Sequence, residues 1–457
     1  SDVCSSDLIT DRFKNTLVLA TEVKKVYCDE LTGESHHTVV EDISKGMKEA
    51  IIENVRLFSR EFTNLESAKK KHLLSSNKID DAILTVDKEL FKLVHNFELL
   101  NFVNPINLAQ EKKKFFKSEF RYNPEFKYRP IVVNPWEMKR KLSALPTEEI
   151  KDVNIRKLYE DVIYSYFDKI DMLSTLGTSK FLYNSLRYFG EPDQADINNA
   201  YFLMYCQEGQ EEHKNEVPTF TSEDTAKYIQ DHVLNSYDFD CKVEIKNKIT
   251  SKALVLNSKQ MVVIKKGEMF TEREVQSLAH HEVGVHMVTT MNSINSKLKI
   301  FNMGLPKNTL TQEGLAVLAE YLSGTLTIER LQELALRVLC IKYLIKGHDF
   351  SSAYRRLLHK FDLDPDFAWY VTARVYRGGG FTKDYLYLQG FKEILKLRET
   401  EPDFNNLLIG KTSFEYLETI NEMIDRKFIE APRNITLPYI NPVQSSDVLN
   451  YIISCIR

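Results

Sequence analysis

A chain of 457 residues, 43% hydrophobic and 28% charged, has an ordinary globular composition and is long enough for two or three domains around a sizeable core. Its net charge of −4 gives no global pull toward nucleic acid or an anionic membrane surface, and no stretch approaches the roughly 18 apolar residues that cross a bilayer. Six cysteines, at 4, 28, 206, 241, 340 and 455, show no CxxC spacing, which predicts reduced thiols in a cytoplasmic setting rather than a disulfide framework or a cysteine zinc site.

Residues 1–8 have neither a basic start nor an apolar stretch, so they do not read as a signal peptide; they read as a scar and carry no fold expectation. Residues 9–120 read as a helical N-terminal region. Val40–Phe62 places Ile43, Met47, Ile51, Val55 and Phe58 at three- and four-residue intervals, and Asp80–Leu100 repeats the pattern with Ile83, Leu84, Val86, Leu90, Leu93 and Val94. From 106 to 150 the chain is basic and irregular, with Lys112, Lys113, Lys114, Arg121, Lys127 and Arg129 interleaved with Phe115, Phe116, Phe120, Tyr122, Phe126 and Tyr128. A stacking groove for single-stranded nucleic acid is one reading. An extended segment wrapping the core, aromatics inward and charges outward, is the favoured one, so nucleic acid is not expected as a partner.

Helices return over 151–236, where Thr221 and Asp224 form a capping box. The period then changes to two in Cys241–Lys246 and Lys252–Leu256, and Met261–Lys265 is a short apolar run. These three candidate strands predict a small, mostly antiparallel sheet. It serves either as an edge for an extended substrate or as plain support for the helix after it.

That helix starts at Thr271, whose capping-box partner is Glu274, and contains His281-Glu282-Val283-Gly284-Val285-His286. Two imidazoles beside a carboxylate suit a zinc site that also carries a base. The histidines are five positions apart, about 140° on an ideal helix, and a π-bulge would return both rings to one side. Gly284 between them suggests a backbone distortion or a close approach. The competing reading is a pair of packed or surface histidines. Beyond a loop marked by Gly304 and Pro306, the segment Thr311–Leu322 is a strong helix former, and its Glu313 is the acid expected to complete a two-histidine site. Glu320 lies on nearly the same face and could orient a ligand histidine, or be an exposed helix glutamate.

A further helix is expected from Ile328 to Lys346, capped by Thr327, with Leu331, Leu334, Ala335, Val338 and Leu339 as its core stripe. In Arg374-Val375-Tyr376-Arg377-Gly378-Gly379-Gly380, two arginines three apart could each grip a carboxylate, or they serve structural ion pairs while the glycines end a helix. Lys383, Tyr385 and Tyr387 read as surface or packing residues. The tail from 405 reads as an irregular strap, given Pro432, Pro438 and Pro442.

Three blocks, HHEVGVH (280–286), TQEGLAVLAEYLSG (311–324) and ARVYRGGGFTKDYLYLQG (373–390), closely resemble the QEGLA-motif proteins. That family includes bacterial flavohemoglobin expression-modulating QEGLA motif proteins and is related to the vertebrate tubulin-tyrosine carboxypeptidases, which are zinc metallopeptidases. The resemblance is strongest over about 271–400 and weaker at Asn123-Pro124, Phe126–Arg129 and Lys180-Phe181. It implies Zn2+ as cofactor, His281, His286 and Glu313 as its ligands, and Glu282 as general base. It also implies peptidase and carboxypeptidase activity, for which Arg374 and Arg377 are the candidates to bind a substrate carboxylate.

The sequence therefore predicts an α+β, predominantly helical protein with a zinc-metallopeptidase-like core and a small sheet beside the metal-binding helix. The catalytic region is expected over 121–400 and a C-terminal strap over 401–457. The expected function is a cytoplasmic zinc metallocarboxypeptidase acting on a peptide or protein C-terminal tail, with no membrane partner. The alternative is a regulatory or binding protein with a dormant metal site.

Overall fold

The computed structural model describes residues 79–456 apart from 96, 98, 132–133, 207–215, 248 and 250, together with six helical positions between 43 and 54. The chain divides into two units, Ser1–Ser76 and Asn77–Arg457. The first eight residues, and all but those six positions of the helix expected over 40–62, lie outside the described residues. The second unit contains the histidine-bearing helix and the helical core around it.

Helix α1 (Asp81–Val94) is capped by the Asp80 carboxylate and buries Ile83, Val86, Leu90 and Val94. It is shorter than expected, a separate helix covering Leu99–Val103, and Leu84 faces solvent. Helix α2 (Leu108–Lys117) inserts Phe115 among Phe350, Tyr354 and Trp369, with ring centroids 4.8–5.1 Å apart. Lys113 and Lys114 stay exposed and the aromatics of this basic segment do pack inward, but the segment is not irregular throughout, Leu108–Lys117 and Pro135–Ser143 being helical. Helices α3 (Val153–Ser174), α4 (Lys180–Phe189) and α5 (Gln194–Tyr205) come next.

The sheet comprises β1 (Lys242–Lys246), β2 (Ala253–Leu256) and β3 (Met261–Lys265) in the order β1-β3-β2. It is mixed rather than mostly antiparallel. The β2–β3 pair is a hairpin turning through Gln260 at φ 48°, whereas β1 joins the other edge of β3 in parallel, Lys242 opposite Met261. Alternating hydrophobicity fixes which face is buried and says nothing of strand direction. A two-residue antiparallel pair joins Phe220–Thr221 to Met269–Phe270.

Val262 and Ile264 of β3 pack on Val275, Ala279, Val283, Met287 and Val288, so the sheet buttresses the histidine-bearing helix. That helix runs as α6 (Glu272–Leu278), a π-helical stretch Ala279–Met287, and α7 (Val288–Ile294). Against it lies α8 (Asn308–Leu322), buried on every side from Thr311 to Glu320, as the centre of a helical core must be. Helices α9 (Ile328–Ile345), α10 (Phe350–Phe361) and α11 (Pro365–Tyr376) pack on one another, while α12 (Leu386–Thr400) packs along α8 and also against α9. Thr327 caps α9, and its expected stripe is fully buried.

Helices α8 and α12 cross backbone to backbone. A Cβ on Gly314 would sit 2.5 Å from the Gly390 carbonyl carbon, and one on Gly390 would strike the Leu310 carbonyl oxygen. The tail is not an irregular strap but a string of short helices, among them α13 (Leu417–Asp425) and α14 (Asp447–Cys455). Its prolines are no obstacle where Pro438 occupies the first turn of the Leu437–Ile440 helix, where no amide is needed. Between these helices the Thr436 hydroxyl donates to the Gly284 carbonyl at 2.6 Å and the Tyr439 hydroxyl to the Leu315 carbonyl at 2.6 Å, tying the tail to both central helices.

Candidate metal centre

The Thr271 hydroxyl accepts from the Glu274 amide and the Glu274 carboxylate from the Thr271 amide, so the helix starts where its capping box requires. Two turns later its hydrogen bonding widens from i→i+4 to i→i+5 over Ala279–Met287. The wider winding brings His281 and His286 to the same side, with ring centroids 5.1 Å apart. The expected distortion is therefore present. Gly284 is not there to admit a neighbour: a Cβ would meet nothing nearer than the Tyr237 hydroxyl at 3.6 Å.

Glu313, near the start of α8, closes the triangle. Its Oε2 lies 3.7 Å from Nε2 of His281 and 3.7 Å from Nε2 of His286, and the three ligand atoms fall within 4.8 Å of one another. At that distance neither imidazole makes a formed hydrogen bond to Oε2, which is buried without any partner. Tetrahedral zinc with bonds of about 2.0–2.2 Å would hold its donors roughly 3.3–3.6 Å apart. An orphaned carboxylate oxygen facing two imidazole nitrogens at this spacing fits such an ion, and the borderline-soft N/N/O donor set suits zinc.

Two of the three donors, His281 and Glu313, are held from behind. His281 Nδ1 lies 2.7 Å from Glu320 Oε1, and Glu320 Oε2 accepts from Arg330 Nε at 3.2 Å. Arg330 also pairs with Glu333 at 2.7 Å, and Glu333 with Arg337. Glu320 is thus a buried orienting residue rather than an exposed one. The other oxygen of Glu313 accepts from Lys383 Nζ at 2.7 Å, and the same ammonium donates to the Tyr387 hydroxyl at 3.2 Å. Burial alone would raise the Glu313 carboxyl, but the Lys383 charge and the two imidazoles hold it well below the usual range. Burial would lower His281, yet Glu313 and Glu320 on either side raise it to about 10.

Residues 113–457 match the family described as MATCAP, microtubule-associated tyrosine carboxypeptidase. The chain belongs to the MATCAP family. Its relatives include MATCAP2 of Mus musculus, 24% identical over 348 residues covering 73% of this chain and 58% of that protein. "Microtubule-associated tyrosine carboxypeptidase 1" of Rattus norvegicus is 24% identical over 338 residues, 70% of this chain and 61% of the relative. The human protein of the same name is 24% identical over 334 residues, 68% and 59% respectively. The chain therefore spans about three-fifths of the length of the curated relatives it matches.

The remaining candidates of this MATCAP-family chain sit differently. Glu282, adjacent to His281, is buried with 9% exposure. Arg374 forks onto Asp384, Nε to Oδ2 at 2.6 Å and an NH2 group to Oδ1 at 3.1 Å. Arg377 donates to Asn104 Oδ1 at 2.6 Å, stacks on Phe381 and keeps a buried Nε without an acceptor; burial draws it down to about 10. The glycine run ends α11 at φ values of 77°, 109° and 124° and admits the chain rather than a ligand. A Cβ on Gly378 would strike the Phe181 ring, and one on Gly379 would strike the Thr178 carbonyl. Lys383, read from sequence as a surface or packing residue, instead touches Glu313 across 70 positions of sequence. Its motif flags the block, but no local spacing tells which residue of the block turns inward.

Among the described residues no helix is long and apolar enough to cross a membrane.

Proposed function

We propose that this chain is a zinc-dependent metallocarboxypeptidase that removes C-terminal residues from a peptide or protein. The observation that carries the proposal is the unpartnered Glu313 Oε2 facing His281 and His286. His281, His286 and Glu313 would hold the ion, which supplies Lewis-acid polarisation of a scissile carbonyl and an acidified water. Glu282 accepts the proton of the attacking water and returns it to the leaving amine. Glu320 fixes the His281 ring through Nδ1, and Lys383 keeps Glu313 ionised and aimed. Of the two arginines, Arg377 is assigned to the substrate carboxylate, because Arg374 is already forked on Asp384. The names of the relatives support a carboxypeptidase and place C-terminal tyrosine first among the tails to try.

The test pairs metal content with a digest of matched peptides ending in carboxylate or carboxamide, tyrosine-ended ones included. Glu282→Gln should retain zinc and lose turnover by about 100-fold or more, the weight of a general base. Glu313→Ala should bind zinc far more weakly. Full activity in Glu282→Gln, or equal cleavage of acid and amide peptides, would remove the base or the exopeptidase assignment respectively.

A further inference from the structure

Arg330, which grips Glu320, lies on the first turn of α9, whereas Lys342 lies in its last turn and Lys346 comes just after it. Twelve to sixteen residues at about 1.5 Å each put those lysines roughly 18–24 Å away along the axis. There α5, the end of α9 and α10 enclose an open basin of about 770 Å³, within the range of small-molecule sites. Lys342, Lys346, Arg355, Arg356 and Lys360 line it, and no aspartate or glutamate among the described residues does. None of the five is ion-paired to a described carboxylate; Asp349 acts on Arg355 only at a distance.

Cations at a helix C-terminus are ordinary compensation of its dipole, which covers Lys342 and Lys346. It does not cover Arg355 and Arg356, which reach the same basin from the middle of α10. Nor does the chain at large explain the cluster, since its net charge is −4. Like charges gathered in one concavity repel, and an anionic occupant relieves the repulsion. The floor is organised. Tyr201 carries the Lys342 and Lys360 ammoniums over its ring, 4.7 and 4.3 Å from the centroid, and accepts from Lys342 at 3.4 Å. Arg355 is braced through Nε on the Ser351 carbonyl at 3.3 Å.

We propose that this basin is a binding site for a compact polyphosphate-bearing small molecule, separate from the metal centre. Guanidinium forks and ammonium point charges converging from two helices suit clustered phosphate oxygens. An acidic peptide would instead call for cations strung along a groove. The full chain is titrated calorimetrically at 150 mM NaCl with tripolyphosphate, with ATP and with a hexaglutamate peptide. Wild type should take up one tripolyphosphate with a dissociation constant on the order of 10 μM, weakening steeply with salt. Arg356→Glu/Lys360→Glu, both at exposed positions, should weaken it at least 30-fold, and the neutral Arg356→Gln/Lys360→Gln by less. Lys113→Glu, an exposed control away from the basin, should leave it within twofold. ATP bound more tightly than tripolyphosphate adds stacking on Tyr201, while equal affinity assigns recognition to phosphate alone; either supports the site. Equal affinity in wild type and the double charge reversal, no binding by wild type, or tighter binding of hexaglutamate would overturn it.

Discussion

Gly314→Ala tests whether the crossing of α8 and α12 sets the geometry of the metal centre. In an exposed helix this change stabilises by about 1 kcal/mol, because alanine restricts the unfolded chain and packs no worse. Gly314 has ordinary helical geometry, so propensity alone predicts a gain. The structure predicts a loss. The new methyl would lie 2.5 Å from the Gly390 carbonyl carbon and 2.8 Å from Ile394 Cγ1, about 1 Å inside ordinary contact. The first obstacle is backbone, which cannot rotate away. Overpacking of this kind costs about 1–3 kcal/mol, and forced separation of two backbones belongs at the upper end. The net expectation is a destabilisation of about 1–2 kcal/mol by urea unfolding. Because Glu313 precedes the altered residue and Lys383 precedes α12, parting these helices should also weaken zinc retention. Gly284→Ala is the control: its methyl meets nothing nearer than 3.6 Å, so stability should hold or rise. A Gly314→Ala protein as stable as wild type, with unchanged metal content, would refute the role given to the crossing.

Two further outcomes concern the buried charges. Lys383→Met leaves the Glu313 carboxylate without its cation, a loss of about 3–5 kcal/mol for a broken buried pair. Bound zinc would take over that neutralisation, so melting temperature should fall sharply in chelator and much less in zinc; equal falls would separate Lys383 from the metal centre. Asp384 and Glu333 bear on acid stability. Burial would raise both, but Arg374 and Arg337 hold Asp384, and Arg337 and Arg330 hold Glu333, well below the usual carboxylate range. Their folded values are depressed, so their contribution is present above about pH 4.5 and is lost as pH falls below it, by up to about 1.4 kcal/mol per pH unit for each group. Asp384→Asn should be less stable at pH 7 and show a shallower decline between pH 5 and 3; an unchanged slope would show that Asp384 is not titrating in the unfolding transition.

What the sequence made legible is what local chemistry determines. Thr271 with Glu274, Thr221 with Asp224, and Thr327 announce helix starts because a side chain must satisfy amides a few residues away. The five-residue histidine spacing announces a widened helix because a regular one would splay the rings. Glu313 and Glu320 could be found because two helical turns relate them and put them on nearly the same face. The failures are contacts between distant segments. Lys383 reaches Glu313 through a glycine–glycine crossing, β1 joins β3 in parallel, and tail residues Thr436 and Tyr439 bond to the central helices. Arg374 had its partner only ten positions away in Asp384, but nothing in a pattern of charges says which carboxylate turns inward.

The buried charges also bear on the choice between a C-terminal carboxylate and an internal peptide bond. Among the described residues, five cations stand around the centre, Arg330, Arg337, Arg374, Arg377 and Lys383, with five carboxylates, Glu282, Glu313, Glu320, Glu333 and Asp384. With both imidazoles neutral the formal charges cancel. A dication held by His281, His286 and Glu313 would leave an excess of two positive charges in an interior where uncompensated charge is expensive. A proton passed from water to Glu282 stays within the site and leaves that excess unchanged, whereas a substrate's terminal carboxylate lowers it from two to one. A carboxamide offers no such charge, and an endopeptidase would bury the same excess unanswered. The balance of five against five thus ties the metal and the exopeptidase assignments together.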